Sequence, residues 1–221
     1  MPNYAGLKNK LNELIRRARD GSVFIAPRSA DPIVALTTGT PPVLSPLPTG
    51  YEDLGWTSTD GVTFGRETES SQIRSFGSVE PTREDIINDT LTMTVTAQET
   101  KLLTIGLSTG VDTTGLEAAA VTGELSIAKA ALPNPRHYHV LGVFVDETSD
   151  GEIYMARYMP NAKITEFGET AYTSDGDDPV QYALTFTGFE ASDLGYSHRW
   201  IFGGAGWLAL LDAMGIDQET P

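Results

Sequence analysis

The sequence contains no cysteine among its 221 residues and only three histidines. The absence of cysteine excludes disulfide bonds, thiolate nucleophiles and cysteine-ligated zinc or iron–sulfur sites. His137 and His139 stand two apart on a predicted strand and so point to one face, as a chelating pair does, whereas His198 stands elsewhere. Because the pattern supplies no third ligand, we interpret the histidines as structural and predict neither a metal nor a cofactor.

Long apolar runs are also missing. No run reaches the roughly 18 residues that a membrane-spanning helix requires. The first residues, Met1–Tyr4, lack the basic and apolar regions of a secretory signal peptide. The hydrophobic fraction of 40% is that of a folded protein. We therefore expect synthesis and folding in a cytoplasm and no membrane partner.

Basic residues are few: 15 against 30 acidic residues, which gives a formal net charge of −15. Such a chain repels nucleic acid over about one Debye length, ~8 Å at physiological salt. No basic stripe of the kind that grips DNA is visible in the sequence. The acidity therefore excludes a DNA-gripping protein, and solubility is the simplest alternative explanation for it.

Catalytic and ligand-binding motifs are absent from the sequence. The glycine-rich stretch 203–206 is not followed by a phosphate-binding lysine, and there is no G-x-S-x-G turn. The acidic clusters at 146–152 and 175–178 do not follow the calcium-loop pattern, so we interpret them as solvated hairpin loops. These observations predict that the protein is not an enzyme.

What the sequence does contain is the two-residue period of β-strands. Predicted strands lie at 62–66, 91–96, 124–130, 138–147, 152–158, 162–169 and 181–189. An Asp-Gly pair follows Ser or Thr at three places, and Asp150-Gly151 separates two strong strand patterns, which is typical of a hairpin turn. One helix is predicted from a capping box with Thr96 as N-cap and Glu99 reaching back. The pattern favours a mainly β fold, a β-sandwich with one flanking α-helix.

Both ends of the chain are predicted to be arms. Leu7, Leu11 and Leu14 lie on one face of a predicted amphipathic helix over Leu7–Arg19, which either packs on its own domain or docks on an acidic neighbouring subunit. A proline-rich linker follows over Thr37–Gly50. The apolar stretch around Trp207 is compatible with a short helix or an extended arm. We therefore divide the chain into an N-terminal arm and linker (1–49), a β-sandwich domain (50–199) and a C-terminal arm (200–221).

The central part of the sequence resembles the major tail tube proteins of long-tailed (siphovirus-type) bacteriophages of actinobacteria. The resemblance lies in five stretches and one strand: 50–56 (GYEDLGW), 60–62 (DGV), 75–83 (SFGSV with PTR), 95–101 (VTAQETK), 160–164 (PNAKI) and the strand 182–189. It covers most of the chain and is weakest in the N-terminal arm.

The resemblance implies a structural virion protein, synthesised in the host cytoplasm, whose hexameric rings stack into a hollow tube. Its partners are implied to be further copies of itself, a tape-measure protein, a tail terminator and baseplate or initiator proteins. The counterpart of the family's ring-stacking loop is 66–89. This segment is too long for a hairpin turn, so a long loop is predicted. Candidate inter-subunit residues are Arg66, Arg74, Arg83, Glu84 and Asp85 in this loop, and Leu7, Leu11, Leu14 and Trp207 in the arms.

The negative charge acquires a role under this resemblance. Acidic side chains that line the lumen of such a tube would repel DNA phosphates, so that the genome slides through without specific binding. The arginines of the 66–89 loop would then meet acidic partners across the stacking interface.

Three alternatives remain open at the level of sequence. A contractile-tail or secretion-system tube shares the same ancestry. A secreted carbohydrate-binding β-sandwich is the main alternative of another class, although the sequence lacks the export signal that it requires. An enzyme is disfavoured by the missing motifs.

Overall fold

Antiparallel β-structure dominates the computed structural model, which describes residues 4–129, 131, 136–172, 174 and 179–219. The elements in chain order are β1 (Asp20–Pro27), β2 (Thr37–Thr38), β3 (Val43–Leu44), β4 (Glu52–Asp53), β5 (Thr57–Ile73), β6 (Arg83–Ala97), α1 (Leu102–Thr109), β7 (Tyr138–Thr148), β8 (Gly151–Phe167), β9 (Tyr182–Gly188), β10 (Arg199–Gly203), α2 (Ala205–Leu208) and α3 (Leu211–Met214). The predicted fold class, mainly β with a flanking helix, is confirmed.

Eight strands form one antiparallel sheet with the order β4-β1-β7-β8-β9-β6-β5, and β10 pairs with β8 beside this path. The sheet curls so that its two halves share a core. Val23 on β1 and Met93 on β6 are separated by three intervening strands, yet both belong to one buried cluster with Phe186. The flanking helix α1 contributes Leu107 to the same cluster. Burying both halves against each other gives the sheet the two-layer character of a sandwich.

A second core lies on the other face of β7 and β8. The segment between β1 and β4 lies across this face and buries Ile33 and Leu36 against Leu141 and Tyr158. The residues that alternate along β7 explain the two cores, because Val140 faces the first cluster and Leu141 faces the second. Strand β7 is therefore apolar on both sides, as central strands are.

The histidine pair interpreted as structural makes two separate contacts. His139 is buried, and its Nδ1 lies 2.7 Å from the hydroxyl of Tyr158, whose ring stacks on the imidazole. His137 is placed differently, with its Nδ1 2.7 Å from the side-chain oxygen of Asn161. Burial lowers the pKa of His139, so it is neutral in the folded protein at neutral pH.

The predicted helix over Leu7–Arg19 is wrong. The segment contains only two 3₁₀ turns, Tyr4–Leu7 and Asn12–Leu14, and the structure leaves Leu7 and Ile15 exposed. A short helix is marginal in water without a surface that buries its apolar face. The following residues, assigned by sequence to the N-terminal arm, form β1 inside the main sheet.

The predicted capping box is also wrong. Strand β6 continues through Thr96 to Ala97, and α1 begins only after Lys101. Glu99 accepts a hydrogen bond from the backbone N–H of Trp56 and pairs with Lys101 instead of capping the helix. Pairing of β6 with both β5 and β9 outcompetes the local helix signal at Thr96. The strand predicted at 124–130 is absent from its described residues, 124–129.

The Asp-Gly pairs have different fates. Asp150-Gly151 forms the predicted hairpin, with Thr148 opposite Gly151 at the turn between β7 and β8. Asp60-Gly61 lies inside β5, where the register with β6 shifts. Asp175-Gly176 lies outside the described residues. The two strands predicted at 152–158 and 162–169 are one continuous strand, β8.

Candidate assembly surfaces

The segment predicted as a long loop, 66–89, is a β-hairpin that extends beyond the sheet; we call it the arm. Strand β6 pairs with β9 only over residues 91–97, so the seven residue pairs from Glu67–Thr90 to Ile73–Arg83 have no further strand beside them among the described residues. At ~3.3 Å per residue this ladder projects about 25 Å. Apart from half-buried Asp85, every arm residue is exposed. The prediction that the segment is too long for a hairpin is wrong because its own residues extend both strands.

The charged residues singled out by sequence lie on this arm. Arg66 donates two hydrogen bonds to Asp89, with 2.8 Å between Nε and Oδ1 and 2.6 Å between Nη2 and Oδ2. These bonds lower the pKa of the Asp89 carboxyl. Arg83 pairs with Asp85 in the same hairpin, at 2.7 Å. Two of the three candidate arginines therefore already have acidic partners in their own chain.

The tip of the arm, residues 74–82, combines apolar and charged side chains. Backbone hydrogen bonds from Ser78 to Ser75 and from Thr82 to Ile73 define its shape. Phe76 and Val79 are exposed at 111% and 96%. Arg74 and Glu80 are exposed beside them. Large apolar side chains at an ordered turn, with nothing covering them, are characteristic of a contact surface.

The terminal candidates lie in different environments. Leu7 is exposed, and Leu11 and Leu14 are half-buried. The basic residues that follow dock on their own chain, where Arg16 lies 3.5 Å from Asp146 and Arg19 lies 3.0 Å from Glu147. This end of the N-terminal segment is therefore tied to β7.

At the other end, Trp207 lies on α2 and stacks on Phe202, with 4.7 Å between the ring centroids. The C-terminal stretch left undecided by sequence is thus a strand followed by two short helices. Gly206 allows this approach to the β7–β8 hairpin, because a side chain there would meet the carbonyl oxygen of Gly151.

A half-open cavity of about 300 Å³ lies between β5 and the β7–β8–β10 part of the sheet; we call it the aromatic groove. Trp200 and Phe202 on its wall remain 46% and 45% exposed. Arg157 crosses the groove with its guanidinium carbon 4.7 Å from the Phe64 ring centroid and 5.1 Å from that of Trp200. The lining residues are Ala18, Val62, Phe64, Phe144, Met155, Ala156, Arg157, Trp200 and Phe202.

Sequence reasoning missed the groove. Phe64 and Phe144 occupy alternating strand positions that indicate an ordinary core, and the sequence gives no sign that β5 and β8 face each other. The available signal was the alternation of Trp200 and Phe202 along β10. Their neighbours in the same strand, Ile201 and Gly203, face the opposite side.

The open face of β5, β6, β9 and β8 carries threonine; we call it the threonine face. Threonines pair across the strands, since Thr94 lies opposite both Thr63 and Thr185, and Thr92 lies opposite Thr187. The hydroxyls of Thr165 and Thr187 are 2.8 Å apart. Lys163 is opposite Thr187 and Glu166 is opposite Thr185. The face comprises Thr63, Thr92, Thr94, Thr165, Thr185 and Thr187.

His198 lies buried beside the groove and stacks edge-on against Trp200, with 4.3 Å between the ring centroids. Neither ring nitrogen has a hydrogen-bond partner among the described residues. Burial, with the nearby charge of Arg157, lowers the pKa of His198 to about 4. At neutral pH the imidazole is therefore uncharged and contributes to the structure by packing against Trp200.

The described residues hold no group of three or more His, Asp or Glu side chains placed to bind a metal ion. In the same part of the chain, no helix is long and apolar enough to cross a membrane.

The chain was also compared with known proteins. The solved structures that it is similar to include a chain of the anti-feeding prophage baseplate, determined by cryo-EM with six-fold symmetry imposed: 12% identity, a TM-score of 0.42, and coverage of 86% of this chain and 97% of that chain. For the crystal structure of an Hcp protein the identity is 9%, the TM-score 0.29 and the coverage 83% and 98%. None of the curated proteins matches. A family described as "Phage tail tube protein" matches residues 9–204. The chain therefore belongs to the phage tail tube protein family, whose members are structural components of the virion.

Proposed function

We propose that this protein is the major tail tube subunit of a long-tailed phage of actinobacteria, and that its hexameric rings stack into a hollow conduit for the genome. The observation that carries the proposal is the arm, an ordered hairpin of a tail tube protein. Among the described residues, the hydrogen bonds and ion pairs of its side chains stay within the hairpin. An exposed hairpin of this length is expected to contact a partner. Because the chain belongs to a tail tube family, we take that partner to be another copy of the chain.

Ring formation is supported by the open edges of the sheet. Strand β5 is one edge and has β6 as its strand partner, while the two-residue β4 forms the other edge. An unpaired edge exposes backbone donors and acceptors, and closing several sheets into one barrel satisfies them. Cyclic symmetry then limits the ring to a fixed number of copies, which we take to be six from the family resemblance.

Stacking is supported by the reach of the arm. Its projection of about 25 Å is long enough to contact a neighbouring ring. Because the arm differs from the surface that receives it, the contact is head-to-tail and builds an open filament. The terminal segments with Leu7, Leu11, Leu14 and Trp207 are proposed to add to the same contacts.

The lumen is proposed to be lined by the threonine face together with acidic side chains. This face carries one lysine, Lys163, among hydroxyl groups that bond to each other, so it offers little that can grip phosphate. Six copies at −15 carry a formal charge of −90 per ring. Repulsion of phosphate by this charge lets DNA slide through the tube.

The remaining partners follow from the family role. A tape-measure protein sets the length, a terminator closes the tube and a baseplate or initiator complex starts it. Mutual repulsion of acidic subunits slows spontaneous polymerisation at low salt, and in the cell the initiator supplies the first ring. The subunit is made in the host cytoplasm and ends in the virion tail.

Electron microscopy of purified protein over a range of concentration and salt tests the assembly. We expect rings or hollow tubes with six-fold averages, favoured by salt because screening weakens the repulsion. The matched control replaces residues 68–89 by an Asn-Gly turn that joins the native pair Glu67–Thr90. This change keeps the sheet and removes the arm, and it should give rings that do not stack. Globules that bind a glycan array would instead support the carbohydrate-binding alternative.

The lumen assignment is tested by genome ejection from phage that carry Thr185→Lys. A cation on the threonine face should attract phosphate and slow ejection, whereas the neutral control Thr185→Gln should eject normally. Equal ejection by both variants would contradict the placement of this face in the lumen.

A further inference from the structure

The aromatic groove holds a cation whose charge is not balanced in its own chain. The side chain of Arg157 forms no ion pair and no hydrogen bond with the described residues, and its guanidinium rests between the rings of Phe64 and Trp200. Burial lowers the pKa of Arg157, which reports the cost of holding this charge away from water. A carboxylate delivered to the groove would offset that cost.

The tip of the arm has the complementary chemistry. Phe76 and Val79 present two apolar side chains that nothing covers, and the carboxylate of Glu80 follows directly in the chain. The groove offers the opposite set: exposed aromatic walls from Trp200 and Phe202 and an unbalanced arginine. Its volume of about 300 Å³ matches the lower end of pockets that bury small ligands.

We propose that the tip of the arm of one copy inserts into the aromatic groove of another copy. Phe76 and Val79 pack against Trp200 and Phe202, and the Glu80 carboxylate receives hydrogen bonds from Arg157. This inference rests on the proposed self-assembly and adds the surface that receives the arm.

Charge distinguishes the arm tip from the basic end of the chain as the occupant. The N-terminal segment carries Lys8, Lys10 and the arginines at 16, 17 and 19, so inserting it would bring further positive charge to Arg157. The tip carries the carboxylate of Glu80 and one arginine, Arg74, so it has no formal net charge. The tip of the same chain does not occupy the groove, because Phe76 and Val79 are exposed in the subunit. Each copy therefore has one free tip and one free groove.

The absence of cysteine allows a direct test by cross-linking. One variant carries Ser78→Cys at the tip, and a second, marked by a size tag, carries Ala18→Cys at the rim of the groove. The two are mixed at high concentration and treated with a short bismaleimide. We expect a cross-linked heterodimer on a denaturing gel. The matched control pairs Ser78→Cys with Thr49→Cys, an exposed position on the segment between β1 and β4, and should give little product.

Changes at the tip sharpen the test, because Phe76 and Glu80 are exposed in the subunit and their replacement should leave the fold intact. Phe76→Asp or Glu80→Arg in the Ser78→Cys background should lower the heterodimer yield at least tenfold. Glu80→Arg combined with Arg157→Glu in the partner should restore the yield. Undiminished cross-linking by Phe76→Asp, or a yield equal to the Thr49→Cys control, overturns the inference.

Cross-linking and microscopy separate this inference from the proposed function. Tubes without a tip-to-groove product would retain the tube function and reject the groove as the receiving surface. A tip-to-groove product without tubes or rings under any condition would support the groove contact and count against the tube.

Discussion

The two halves of β6 lie in opposite environments. Residues 91–97 pair on both sides and bury Met93, Val95 and Ala97, whereas residues 83–89 pair on one side and leave Ile86 and Ile87 exposed. The same strand therefore serves the core at one end and the arm at the other. Apolar residues of the body are buried and stabilise the subunit, whereas apolar residues of the arm are exposed and available for contact with a partner.

The largest expected difference between body and arm is in a matched pair of phenylalanines. Phe186 is 0% exposed and Phe76 is 111% exposed. Phe186→Ala should lower the free energy of unfolding by about 3–5 kcal/mol because it leaves a cavity. Phe76→Ala should change it by less than ~0.5 kcal/mol. Urea unfolding followed by tryptophan fluorescence measures both, and a substantial loss for Phe76→Ala would show that the arm folds back onto the body.

The second effect concerns acid and is confined to the body. Free His198 titrates near 6.5, but the pKa in the folded protein is about 4, so protons bind the unfolded chain first as the pH falls. The contribution of neutral His198 to the free energy of unfolding is therefore fully present above about pH 6.5. It is lost as the pH falls from 6.5 to 4, and the loss is about 3 kcal/mol at 1.36 kcal/mol per pKa unit.

His198→Phe isolates this effect, because the carboxyl groups titrate alike in both proteins. The variant should match the parent near pH 7.5 and be the more stable of the two near pH 4.5. Parallel stability curves from pH 7.5 to 4.5 would show that the imidazole is not held neutral.

A smaller, local effect is expected at the tip of the arm. Arg74 is exposed at the start of the tip, so trypsin should cleave after it in the free subunit. Assembled tubes should be protected there. Mass spectrometry of brief digests checks this, with Arg74→Gln as the control for the assignment. Cleavage at equal rates in subunit and tube would mean that the tip stays exposed after assembly.

The smallest effect is expected from the ion pair at the base of the arm. Arg66→Ala removes a pair that is exposed to solvent, so the urea midpoint of the body should not move. Amide hydrogen exchange should nevertheless become faster in residues 67–88, because the pair joins the two strands of the arm. Unchanged exchange in the arm would show that backbone pairing alone keeps it ordered.

The strands and the family were predictable from local patterns. The alternation of Met93 and Val95 with threonines identifies β6, and Asp150-Gly151 identifies the turn between β7 and β8. Both signals depend on neighbours in sequence. The capping box at Thr96 failed because a long-range strand partner competes with it. The helix over Leu7–Arg19 failed because a short helix needs a surface that buries its apolar face, whereas Leu7 and Ile15 on that face are exposed.

Patterns in the amino-acid sequence were enough to predict a mainly β, acidic, cysteine-free member of a tail tube family with charged residues between 66 and 89. They did not predict that this segment is a projecting hairpin, or that Arg157 crosses a groove between β5 and β8. The physical reason is that side-chain periodicity assigns a residue to a face of its own strand. Which distant face lies opposite depends on the curl of the whole sheet.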